Sequence, residues 1–172
     1  MSDAEAQLPA THRRWLLINA VGIATVLNLV INLLLAWNQT RDGEHVKLWS
    51  VSVAHPSVGT DMLGTLLMLP LITTFLASWA VHRELRRGAF APLPKTAVRA
   101  WSWLAVQNPR RRAGRFAIAT FLILAIPAVD VLEIGARHGM SAHSFATFHV
   151  IFAVLLGMVV TPLVMLIAMT DA

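Results

Sequence analysis

Residues 15–37 read WLLINAVGIATVLNLVINLLLAW, a run without a charged side chain and with a tryptophan at each end. At 1.5 Å per residue such a helix reaches across the roughly 30 Å hydrocarbon core of a bilayer, for which about 20 residues suffice. Indole rings at both ends suit the two headgroup levels. Counting one flanking residue, this first span covers residues 14–37, and three further runs of the same character occupy 61–82, 115–135 and 145–169. The first span is not a removable signal peptide, since it is too long for one. Trp37-Asn38-Gln39 after it offers no small-residue cleavage site.

Composition agrees. Hydrophobic residues make up 56% of the 172 positions and charged residues 13%, against about 25% charged in a soluble domain. The mean hydropathy is +0.63, and a soluble chain of this size has no single core large enough to hide so much apolar surface. Cysteine is absent, which excludes thiol redox chemistry, disulfides and thiolate metal sites.

A sequence pI near 11.3 could point to nucleic acid, but the placement of the charge points elsewhere. Arg83, Arg86, Arg87, Lys95, Arg99, Arg110, Arg111, Arg112 and Arg115 crowd the connector around residues 83–114, where Glu84 is the sole acid. This is the bias of cytoplasmic loops, and Arg13 and Arg14 before the first span share it. The expected fold is an all-α integral membrane protein forming one domain over residues 1–172. Four transmembrane helices form an antiparallel bundle, N-in and C-in, with an outer loop at 38–60 and a basic cytoplasmic loop at 83–114. The expected location is the plasma or inner membrane.

Inside that basic loop Pro92 and Pro94 break the chain, and the pattern from Lys95 to Gln107 predicts a short amphipathic surface helix. Val98, Trp101, Leu104 and Ala105 form its apolar face. Lys95, Arg99, Trp101, Arg110, Arg111 and Arg112 are therefore candidate contacts to anionic lipid headgroups, at about 1 kcal/mol per basic residue near the surface. The plain alternative is an ordinary membrane-proximal loop. In the outer loop, Val46-Lys47-Leu48-Trp49-Ser50-Val51 partly alternates and is expected at the interface, anchored by Trp49.

Polar groups inside the spans are costly and are the first place to look for function. Ala20, Ala24, Asn28, Asn32 and Ala36 recur every four residues in the first span, and His149, Ala153, Gly157 and Thr161 repeat the device in the fourth. Such stripes let helices approach closely and bond through asparagine. Depth reading gathers Asn28, Asn32, Asp61, Asp130, Glu133 and His149 toward the outer leaflet. They are the candidate members of a polar vestibule able to hold a proton, a hard cation or a divalent metal. Each also has a plain structural reading. Asp61 suits the first turn of a helix by its dipole, Glu133 can pair with Arg137, and His149 can bond to an asparagine of the first span.

No catalytic motif or cofactor signature stands out, and no cofactor is expected. Three functional classes remain. The first is a helix-packing binding or assembly protein, acting as a homo-oligomer or within a larger membrane complex. The second is a small transporter or ion-handling protein using the vestibule. The third is an enzyme acting on lipid at the outer surface. Loss of association on Asn28→Leu or Asn32→Leu marks the first class, and loss of transport on Glu133→Gln or Asp130→Asn marks the second.

Overall fold

A computed structural model describes residues 8–41, 45–50 and 57–171. The polar residues 1–12 read from the sequence as a loose segment; of these 8–12 are described, with helix from Ala10 and His12 buried, while 1–7 and the parts of the outer loop at 42–44 and 51–56, including Val51, lie outside the described residues. The chain forms four long helices: α1 (Ala10–Thr40), α2 (Val58–Arg86), α3 (Pro109–Gly135) and α4 (Ala142–Ala168), each long and apolar enough to cross a membrane. Three have local start signals. The Ser57 hydroxyl accepts from the Thr60 N–H, the Asn108 side-chain Oδ1 accepts from the N–H groups of Arg110 and Arg111 with Pro109 at the first helical position, and the Ser141 hydroxyl accepts from the Ser144 N–H. Pro70, Pro127 and Pro162 lie within α2, α3 and α4, where helix breaking is tolerated because the rest of the ladder persists in an apolar setting.

α4 sits between α1 and α2, and α3 flanks α2, so that α1 and α2 make no comparable interface with each other. The reason lies in the small-residue stripes. Ala20, Asn32 and Ala36 of α1 and His149, Ala153, Gly157 and Thr161 of α4 are all buried, and two such faces approach more closely than two leucine-lined ones.

The first part of α1 is unusual. Residues Leu17–Ile23 form a π-helical segment, in which the Ala24 N–H reaches back to the Asn19 carbonyl. A strict four-residue repeat overshoots the 3.6-residue α-turn and drifts around the helix. The wider π-turn offsets that drift and keeps Ala20 in the core. The Asn19 side chain donates to the Trp15 carbonyl at 2.9 Å, supplying a donor beside the irregular turn.

The connector helix is a correction. Lys95–Trp101 is a 3₁₀-helix, with Val98 out of helical geometry at φ −121°, too tight and too short for the amphipathic α-helix expected. The break falls at Val98, whose side chain is drawn into the core out of helical geometry. Val98 and Leu104 are buried with Phe90 and Leu93 in the main core, while Trp101 and Trp103 stay exposed. The outer-loop segment also turns inward. Val46 bridges Met140, the Val58 and Gly59 N–H groups donate to Lys47 and Leu48 carbonyls, and Val46 and Leu48 join a second core with Met62, Leu132 and Phe145. The predicted alternation holds, but its apolar side faces the helices. Trp49 covers Gly59, where any Cβ would collide with the indole.

Candidate functional site

Where α1 and α2 part, a cavity of about 580 Å³ opens, walled by both helices and floored by α4. Its lining runs from Gln39 and Asp61 at one end to Asn19, Trp79 and Ala80 at the other. The nineteen residue steps from Asp61 to Ala80 correspond to about 28 Å of helix, close to the roughly 30 Å depth of the hydrocarbon. Most of the wall is apolar, including Leu27, Ile31, Met68 and Ile72, and Gly64 leaves open space at its edge.

At the Asp61 end the floor is polar and continuously hydrogen-bonded. His149 Nδ1 lies 2.6 Å from Asp61 Oδ2, and His149 Nε2 lies 3.2 Å from Asn32 Oδ1. The Asn32 amide donates to the Asn28 carbonyl at 2.8 Å and to Asn28 Oδ1 at 2.6 Å. The Asn28 amide in turn donates to the Ala153 carbonyl at 2.7 Å.

Two backbone carbonyls fix the direction of this chain. A carbonyl only accepts, so the NH₂ group of Asn28 faces Ala153 and that of Asn32 faces Asn28. Asn32 therefore presents its oxygen to His149, whose Nε2 must carry a hydrogen. Two lone pairs 2.6 Å apart would repel, so a further proton lies between Nδ1 and Asp61. The pair is then imidazolium with carboxylate, or neutral imidazole with carboxylic acid, and both are electrically neutral overall. A neutral, fully bonded pair is how ionisable side chains persist inside a span.

Gly157 permits the arrangement. A Cβ there would run into Asn28 Nδ2 and Cγ. Gly157→Ala is therefore expected to displace Asn28 and cost about 1–3 kcal/mol, as overpacking does. Combined with Asn28→Ala it should cost clearly less than the two singles added, because both act on one contact. Melting of the four proteins in one detergent checks this, and additive losses would separate the two residues.

Of the six vestibule candidates, the structure brings together Asn28, Asn32, Asp61 and His149. Asp130 and Glu133 are exposed on α3 and do not line the cavity. Glu133 accepts from the Trp49 indole N–H at 2.7 Å rather than pairing with Arg137. Among the described residues no group of three or more His, Asp or Glu stands close enough to hold a metal ion. Gln39, unforeseen, closes the site at its polar end, donating to Asp61 Oδ1 at 3.4 Å. Its signal was its spacing, seven residues after Asn32 on the same helical face.

The opposite end holds a second polar cluster that the sequence did not disclose. Arg112 is 0% exposed, and its Nη2 donates to both Asp171 oxygens at 2.6 and 2.7 Å. Its Nε donates to the Val106 carbonyl at 3.0 Å and its Nη1 to Ser78 Oγ at 3.3 Å. His82 Nε2 lies 2.6 Å from Asp171 Oδ2, and the Leu93 N–H donates to the Met169 carbonyl. Arg112 is thus not a headgroup contact, since a guanidinium enclosed by protein donors' partners is out of lipid reach. Lys95, Arg99, Trp101, Arg110 and Arg111 remain exposed. His12 and His82 are engaged with the Ala91 carbonyl and Asp171 respectively.

The fold and site together define an all-helical chain with four candidate membrane spans and a groove opening sideways between two of them. No protein-family model, curated protein or solved structure matches the chain.

Proposed function

We propose that this is a multi-pass binding protein of the plasma or inner membrane, whose occupant lies in the α1–α2 groove. The carrying observation is that a bilayer-deep, largely apolar groove ends on a polar, hydrogen-bonded floor. Apolar walls with a few convergent polar groups are the usual make-up of a binding pocket, and 580 Å³ falls within the roughly 300–1,000 Å³ typical of one. The basic residues cluster at the Arg112 end, which supports an N-in, C-in orientation with the Asp61 end outside. The anionic headgroups of the inner leaflet then meet Lys95, Arg99, Trp101, Arg110 and Arg111.

A photo-crosslinker at Ile72, on the groove wall, tests this in intact membranes, with the same group at exposed Ile126 of α3 as control. A discrete adduct at position 72 that is missing at position 126 is expected. Identical bulk-lipid adducts at both positions would overturn the reading.

The directed hydrogen-bond chain favours one second reading, a proton-handling protein in which the Asp61–His149 pair exchanges its shared proton with an occupant of the groove. Asp130 and Glu133 have no place in that pathway, so their neutral variants are expected to retain activity. The third class, an enzyme acting on lipid at the outer surface through the vestibule carboxylates and His149, keeps Asp61 and His149 but not Asp130 and Glu133 at the groove.

A further inference from the structure

We infer that the groove takes a single-chain amphiphile whose head carries hydrogen-bond donors, a hydroxyl or an ammonium, seated at Gln39 and Asp61. This rests on the groove being a binding site and names the chemistry of its occupant.

Size selects the chain. The groove offers about 580 Å³, the volume of a small-molecule site, strung along about 28 Å of helix, which is the shape of one extended hydrocarbon chain lying along Leu27, Ile31, Met68 and Ile72. The length of the groove matches one leaflet-spanning tail and more.

Hydrogen bonding selects the head. The His149 and Asn32 N–H groups are committed: both His149 nitrogens face Asp61 and Asn32, and the Asn32 amide spends both hydrogens on Asn28. Asn28 and Gln39 each keep one N–H beyond the bond it makes, but the charged and the unmatched buried atoms that remain are acceptors. Gln39 Oε1 is buried and has no hydrogen-bond partner among the described residues, and Asp61 Oδ1 receives only the long 3.4 Å contact from Gln39. An uncompensated buried acceptor is costly, and because Gln39 itself lines the groove, a rotation of its side chain brings that oxygen to a donor head. A carboxylate or phosphate head would instead set oxygen against oxygen beside Asp61.

The test uses the full chain in nanodiscs of a zwitterionic two-chain lipid. Octadecylamine, octadecanol and stearate are added at equal mole fraction, and the retained molecules are counted by native mass spectrometry. The amine and the alcohol should be retained at least about tenfold over stearate, the ratio carried by one mismatched polar group. That retention should vanish in Gly64→Trp, which fills the groove where a Cβ meets nothing, and in Met68→Trp as a second block. Gln39→Leu should keep the chain bound and reduce the preference between heads to what Asp61 Oδ1 alone supplies. Equal retention of all three probes, still lost in Gly64→Trp and Met68→Trp, would overturn the donor-head inference and leave the groove reading standing. Retention untouched by either block would overturn both. A protein adduct at position 72 with no probe retained would replace the amphiphile by a partner helix.

Discussion

Asp171→Ala is expected to lower stability by about 3–5 kcal/mol, the cost of stranding a buried charge by removing its partner. Arg112 is fully buried, and Asp171, whose side chain is 14% exposed, supplies its only carboxylate among the described residues. The same aspartate receives His82, so the alanine variant unties α2, α3 and the end of the chain at once. Arg111→Ala, one residue away but exposed, should change stability by less than about 0.5 kcal/mol. The double variant Asp171→Ala/Arg112→Leu should recover much of the loss, since an apolar replacement of a whole buried pair is often neutral. Melting in detergent separates these cases. A negligible effect of Asp171→Ala would mean that Ser78 and the Val106 carbonyl suffice for Arg112.

The second large effect concerns His149. His149→Leu leaves Asp61 facing an apolar floor and Asn32 Oδ1 without its donor, and is expected to cost about 3–5 kcal/mol on the same grounds. His149→Gln, which can still donate to Asn32, should cost less. The protonation pattern is directly observable by nitrogen-15 spectroscopy of histidine-labelled protein in bilayers. Nε2 of His149 should carry a hydrogen, with the shared proton at Nδ1 or on Asp61. A neutral ring bare at Nε2 would break the directed chain from Asp61 to Ala153 and, with it, the second functional reading. Asp61→Asn should alter this signal, whereas Glu133→Gln, remote from the ring and engaged with Trp49, should leave it in place.

Much of the site was legible in the spacing. Asn28 and Asn32 lie one turn apart, as do His149 and Ala153, and a four-residue repeat of small or polar side chains in an apolar span marks a face that meets another helix. The depth reading put Asp61 and His149 at one level, and they do meet. It put Asp130 and Glu133 there too, and for those it misled. Level along the membrane normal says nothing about direction around a helix, and α3 turns those two carboxylates away from the groove. Gln39 and Asp171 were passed over because each sits just beyond a span, where polar residues are ordinary.

The sequence by itself determined four apolar helices, their approximate limits and the concentration of positive charge in one connector. These follow from length, hydropathy and composition, which act locally. Only the tertiary structure decided that α4 stands between α1 and α2, that a groove results, and that one of the connector's nine basic residues, Arg112, is buried on Asp171. Those outcomes depend on which stripes fit together and on where each helix face points. Such relations join residues more than a hundred positions apart, such as Asn28 with Ala153 and Asn32 with His149, and no local pattern encodes them.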